Sequence, residues 1–181
     1  MPGATFLSGE TVDLCTLEED DIEFLRDGIN DPAVRVPIGN HTPYNLDEQR
    51  DWLENVASGD DEVNLCIVAD GEPVGVVTIA EIEETHGTAE LGYWVAPEHH
   101  RNGYGSDAAR TMVEYAFRER RIRSLMACVF AFNEASAGLL ESVGFERTGT
   151  WPEWVFVDGE HHDVWLYTVT ADEWLPEHAG E

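Results

Sequence analysis

Two glycines set two apart, Gly103 and Gly105, follow an arginine, Arg101, where an apolar strand-like run gives way to a helical one. Glycine lets a backbone approach a ligand closely and take either sign of φ. Amides at a helix start point outward unpaired, with the positive end of the helix dipole behind them. The stretch VAPEHHRNGYGSDA (residues 95–108) is therefore a candidate anion cradle. Its donors would be the amides of Gly103, Tyr104, Gly105 and Ser106, and its charge that of Arg101. GYGSDA also fits the G-x-G-x-x-A dinucleotide pattern, but context argues against that reading. Pro97 to Asn102 intervene before the first glycine, no acid ends the next strand, and the chain has no lysine for a phosphate loop.

Two further constellations could carry chemistry. Asn133 and Ser136 form an N-x-x-S pair at the head of an apolar helical run. Spacing alone leaves two readings open: a helix cap with a first-turn serine, or a pair facing a ligand. Glu90 opens the run ELGYWV, where alternation places it on one face with Gly92 and Trp94, so its carboxylate could accept a proton. Glu83, Glu84 and His99 compete for that role. His99–His100 and His161–His162 are neighbours in extended segments with no third ligand at zinc spacing, and no metal is expected.

These residues need elements to hold them. TVDLCTL (11–17) reads as a strand, and Ile22, Phe24, Leu25 and Ile29 then recur at helical spacing behind acids that favour the helix dipole. DPAVRVPIGNHTPYN carries three prolines and reads as a loop. LDEQRDWLENVAS (46–58) reads as a helix with Leu46, Trp52, Leu53 and Val56 toward the core. VNLCIVAD and EPVGVVTIAEI flank a DG hairpin signal. AELGYWVA is the next strand, a helix runs from Gly103 to about Arg120 on Ala109, Met112, Val113, Ala116 and Phe117, and SLMACVFAF is a strand. NEASAGLLESVGF is a short helix with Asn133 as N-cap and Gly144 as its left-handed stop. The last part, around VDGE, reads as two strands on a second DG turn. The order β-α-α-β-β-β-α-β-α-β-β predicts an α+β fold, a mixed and mostly antiparallel sheet of about seven strands flanked by about four helices. It reads as one domain, residues 1–181, with its core over about 8–170.

Charge excludes some classes of partner. There are 37 acids against 10 basic residues, all ten of them arginine, giving −27. The acids are spread over nearly every predicted surface face, the pattern of a chain suited to concentrated salt, where the Debye length shrinks to about 3 Å at 1 M, with a surface tuned to cationic partners as the alternative. Such a surface is unsuited to nucleic acid or anionic membrane. No apolar run of 18 residues and no leader pattern is seen, and Cys15, Cys66 and Cys128 are isolated, so a cytoplasmic protein is expected. The arginines from Arg118 to Arg123 lie roughly 20 Å of helix from Gly103, and they are expected to complement the helix's negative end.

VAPEHHRNGYGSDA followed by FNEASAGLLESVGF resembles the GNAT superfamily of acetyl-CoA-dependent N-acetyltransferases, and more narrowly its RimJ/RimL ribosomal-protein branch. The early LEEDDIEFL, AELGYWVAPE and the late VDGEHHDVWLYTVTADEW sit where that branch has counterparts, so the resemblance covers nearly the whole chain. It implies that the strand bearing Trp94, Val95 and Ala96 splays from its neighbour and pairs with the pantetheine arm. It implies that the turn of His100, Arg101, Asn102, Gly103, Tyr104, Gly105 and Ser106 wraps the pyrophosphate. It implies that Asn133 and Ser136 lie near the thioester, and that acetyl-CoA is the co-substrate. His100 stands where the family usually has Arg or Gln. Leu140 stands where some branches carry a tyrosine acid, which leaves Ser136 as the substitute. The acceptor implied is a protein N-terminal amine or a small amine, attacked directly in a ternary complex with Glu90 as base and a backbone N–H near Val95 as oxyanion donor. A homodimer is compatible with this. A non-catalytic acyl-CoA-binding module on the same scaffold is the alternative.

Overall fold

The computed structural model describes residues 3–57, 59 and 61–178. Eight strands form one sheet in the order β1-β2-β3-β4-β5-β6-β8-β7. These are β1 (Thr5–Ser8), β2 (Asp13–Thr16), β3 (Val63–Ala69), β4 (Glu72–Glu83), β5 (Thr88–Val95), β6 (Ser124–Phe130), β7 (Glu146–Val157) and β8 (Glu160–Thr170). All neighbours are antiparallel except β5 and β6. Six α-helices accompany them among the described residues: α1 (Ile22–Asn30), α2 (Pro32–Arg35), α3 (Leu46–Asn55), α4 (Tyr104–Arg118), α5 (Glu134–Val143) and α6 (Ala171–Glu177). None is long and apolar enough to cross a membrane.

The expected α+β architecture is present, with differences at the short elements. β1 has four residues, too few for alternation to register, and α2 starts at Pro32 inside the stretch read as a loop. Proline at the first helical position costs nothing, since that amide has no partner anyway. The second predicted helix stops at Asn55, and Ser58 lies outside the described residues. Its expected apolar face is only partly covered: Val56 is 40% exposed, while Gln49 is buried. The cause is its support, because α3 packs chiefly on α1. Both DG turns form, with Asp70, Gly71, Asp158 and Gly159 all at positive φ, the twist a two-residue hairpin needs.

The main core lies between the sheet and α4, α5 and α6. Leu65, Ile67, Val77, Ile79, Leu91, Leu125, Ala127 and Tyr167 meet Met112, Val113, Ala116, Leu140 and Trp174 there. On the opposite face, Phe24 of α1 lies 5.4 Å from the ring of Trp94, and a side chain at Gly28 would collide with that ring. Trp94 is thus wedged between β5 and α1, and Gly28 leaves the room for it.

Candidate active site

β5 and β6 make a fork. They pair in parallel only from Thr88↔Ser124 to Glu90↔Met126, and beyond Glu90 the strands separate. Backbone groups along a strand point alternately to its two sides. The Ala96 amide donates back across β4 to the Val74 carbonyl at 2.8 Å, so the amides of Tyr93 and Val95 face the open side of the fork. The splay expected of this strand is therefore present, with backbone donors directed into it. A cleft of about 680 Å³ follows this gap, a volume in the range of small-molecule sites.

The far end of the cleft is the ribbon from His99 to Ser106. Arg101 and Gly103 both take left-handed backbone, φ 64° and φ 82°. That conformation costs an arginine roughly 1–2 kcal/mol, and it folds the ribbon so that α4 begins facing the cleft. Gly103 to Ser106 hold the amides that a helix start leaves without internal partners. Gly105 is needed for closeness: a Cβ there would stand 3.0 Å from Leu139 and 3.5 Å from Val95. No ion pair found among the described residues includes Arg101, although acids outnumber bases nearly four to one. Amides without helical partners and a guanidinium outside the ion pairs of the described residues lie together on one kinked ribbon, an arrangement able to hold an anion.

Asp107 anchors this ribbon. It is 8% exposed and accepts four hydrogen bonds from the β1–β2 turn. Thr11 N donates at 2.6 Å, Thr11 Oγ1 at 2.9 Å, Val12 N at 3.0 Å and Glu10 N at 3.1 Å. Burial alone would raise its pKa, but these donors together outweigh burial and hold the carboxyl below its ordinary value.

Glu90 sits at the crotch of the fork, half-buried. Burial, reinforced by the charge of Glu81, pushes its carboxyl above the usual range, while the Cys128 thiol partly opposes this. Cys128, on the facing strand, is itself pushed up to about 11 by burial and by Glu90, so it is a weak nucleophile at neutral pH. Glu83 is occupied elsewhere: its carboxylate accepts from the Thr85 amide at 2.9 Å in the β4–β5 turn, and that hydrogen bond holds it low. Neither Glu83 nor Glu84 lines the cleft, whereas His99 does.

On the other face of β5, Tyr93 reaches α5. Its hydroxyl lies 2.8 Å from Ser136 Oγ and 3.3 Å from the Ser136 carbonyl. Burial raises its pKa to about 12, with the Ser136 contact acting the other way. The phenol is thus a weaker acid than a thiol, whose ordinary pKa is near 8.5. The contact fixes the Ser136 hydroxyl at the edge of the cleft, with either hydroxyl able to donate to the other. Asn133 caps α5 through Oδ1, which accepts from the Ser136 amide at 3.2 Å, so the structural reading holds for its oxygen. Leu140 is fully buried under the cleft floor.

Most predicted site residues converge here. Glu90, Trp94, Val95, His100, Arg101, Gly103, Tyr104, Gly105, Ser106, Asn133 and Ser136 all line the cleft. Ala96 and Asn102 do not: Ala96 is buried with its amide spent on Val74, and the Asn102 amide group donates to the His99 carbonyl. His100 lines the cleft but donates Nε2–H to the Val95 carbonyl at 2.8 Å, tying the ribbon to the end of β5. Sequence reasoning missed Tyr93, Cys128 and Glu81. The first two had a signal in strand alternation. Glu81 had none, because it owes its place to a bulge in β4 where it takes φ 50°.

Comparison with known proteins agrees with this geometry. YdaF of Bacillus subtilis, of the ribosomal N-acetyltransferase type, is 29% identical over 124 residues, covering 68% of this chain and 67% of that protein. The spermidine N(1)-acetyltransferase of Escherichia coli K12 is 24% identical over 172 residues, covering 94% and 92%. A RimL-type ribosomal alpha-N-protein acetyltransferase solved with coenzyme A superposes with a TM-score of 0.85 at 19% identity, over 94% of this chain and 99% of that one. The family model described as acetyltransferase (GNAT) domain matches residues 12–146. That span runs from the turn clasped by Asp107 to the first residue of β7, and the chain belongs to the GNAT acetyltransferase family.

Proposed function

We propose that this chain transfers the acetyl group of acetyl-CoA to a primary amine, a polypeptide N-terminus or a small amine, by direct attack. The observation that carries the reading is the fork: an open strand edge with free donors, leading without interruption to a ribbon of unpaired amides beside the unpaired Arg101. A cofactor with a diphosphate at one end and an amide-bearing arm at the other fits that sequence of donors. Bound there, it supplies an activated thioester.

The chain's own residues then divide the work. Gly103 to Ser106 and Arg101 hold the diphosphate, and His100 keeps the ribbon joined to β5. Glu90, its carboxyl raised, takes a proton from the incoming ammonium directly or through one water, since only the free amine has a lone pair. The Val95 amide, directed into the fork, donates to the oxygen that gains charge as the amine adds. Ser136, held by Tyr93, donates to the departing sulfur, which needs little help as a leaving group. Holding amine and thioester together accounts for most of the acceleration.

The test is release of coenzyme A from acetyl-CoA in molar KCl across N-terminal peptides, polyamines and aminoglycosides. Turnover with at least one class is expected. Tight acetyl-CoA binding with no turnover across all of them would leave the non-catalytic module as the better reading.

A further inference from the structure

Arg110 lies on α4, one turn beyond Ser106, and is half-buried. Its Nε is the one buried side-chain nitrogen or oxygen among the described residues that meets no hydrogen-bond partner. Buried donors in native folds are almost always satisfied, so this side chain rests in a pose that no acceptor holds. Carboxylates are close in sequence, Asp107 at i−3 and Glu114 at i+4, the spacings at which helical side chains pair. Both are engaged elsewhere. Asp107 accepts its four hydrogen bonds from the β1–β2 turn, and Glu114 pairs with Arg118 at 2.8 Å. No ion pair found among the described residues includes Arg110, in a chain with 37 acids. Its guanidinium can therefore turn to an arriving anion without breaking an ion pair.

The cleft brings such an anion within reach. Helices α4 and α5 return from the ends of parallel strands, so they run the same way. Gly105 abuts Leu139, and the lining of the cleft continues from Leu139 to Ser142, a turn further along α5. Arg110, beyond Gly105 on α4, stands beside that continuation and shares a helix face with Ser106, which lines the cleft. Helical side chains lean toward the helix N-terminus, which carries the guanidinium back toward the ribbon. The other arginines are placed differently. Arg26, Arg50 and Arg118 are in ion pairs, and Arg147 donates to Thr150. Arg120, Arg121 and Arg123 follow the far end of α4, and Arg35 closes α2, which packs on α1 at the opposite face of the sheet. Arg101 and Arg110 alone are left on the cradle side.

Coenzyme A carries a second anionic group, a 3′-phosphate one ribose beyond the diphosphate. Arg110 is one helical turn, about 5.4 Å, beyond Ser106. The ribbon amides and Arg101 answer the diphosphate, whereas a further phosphate meets a chain of net charge −27. We infer that Arg110 binds the 3′-phosphate of coenzyme A and makes the site select the phosphorylated nucleotide over its dephospho form. This rests on the acetyl-CoA reading above. The planar guanidinium offers two parallel donors to two phosphate oxygens.

Calorimetry in molar KCl, where only close charges still count, tests it with coenzyme A and dephospho-coenzyme A. The parent should bind coenzyme A about tenfold more tightly, the scale of one charge-assisted hydrogen bond. Arg110→Ala and Arg110→Gln should each lose about tenfold for coenzyme A and keep the parent's affinity for the dephospho form, which also reports that the ribbon is folded. Arg101→Ala, at the diphosphate, should weaken both ligands alike. Equal affinity of the parent for the two nucleotides, a preference that survives both Arg110 variants, or variants that weaken both nucleotides equally would each overturn the inference and leave the cofactor reading intact. A parent that binds neither nucleotide would overturn the cofactor reading, and this inference with it. The expected pattern of affinities without turnover of any amine would support the inference and overturn the enzyme reading alone.

Discussion

The two walls of the cleft are built on different physical principles. The wall toward α4 and α5 is a matter of backbone: left-handed Arg101 and Gly103, four unpaired amides, and a buried carboxylate that clamps the helix start. The wall toward α1 is a matter of side chains, with Glu90, Cys128 and Trp94 arriving from strands and held by packing. Backbone donors suit the part of a ligand that never varies, because substitutions rarely erase an amide. Side chains suit the part that does vary. The difference teaches that cofactor affinity and acceptor choice should respond separately to mutation.

Three substitutions can break or sharpen that separation. The largest effect is expected on the acceptor wall. Glu90→Gln should lower kcat by about 10²- to 10³-fold, with acetyl-CoA affinity by calorimetry within about twofold of the parent. Because burial raises the Glu90 carboxyl, the acid limb of the parent's rate profile should lie above the ordinary glutamate value near 4.3, and the glutamine variant should lack that limb. A large loss of cofactor affinity would show that the walls are not independent.

Next comes the clamp behind the backbone wall. Asp107→Asn exchanges a carboxylate accepting four hydrogen bonds for an amide whose NH₂ faces donors, and should cost about 3 kcal/mol in chemical denaturation. The Asp107 carboxyl is held low in the folded chain, so its contribution is complete above the unfolded value of about 3.9 and is lost as pH falls through the folded one. The gap between parent and variant should narrow on acidification, and a gap independent of pH would contradict this account. The smallest effect is expected at Gly103→Val. A β-branched residue at φ 82° re-aims the amides that follow, and should weaken acetyl-CoA binding about tenfold while saturated turnover stays near the parent's.

The same contrast explains what the sequence made legible. The cradle could be read from Arg101, Gly103 and Gly105 because a local backbone shape leaves a local residue pattern. The cap at Asn133 and the stop at Gly144 were readable for the same reason. The meeting of Glu90 with Cys128 was not, since it arises only from the parallel register of β5 and β6, two strands separated in the chain by α4. Tyr93 was passed over because the missing tyrosine acid was sought at Leu140, on α5, whereas a phenol reaches Ser136 from the sheet. Helix α3 was assigned too much core because periodicity reports an apolar face without saying how large its support is.

Asp107 also couples the cradle to a distant strand edge. The carboxylate that steadies the first turn of α4 is held by amides of the β1–β2 turn, nearly a hundred residues earlier in the chain. Coupling of this kind is reciprocal: the free energy by which an ordered turn favours the ribbon equals that by which an ordered ribbon favours the turn. A ligand gripping the ribbon from Arg101 to Ser106 would therefore tighten β1 against its neighbour, and a fusion or deletion that loosened β1 would be felt as weaker affinity at a site it never touches.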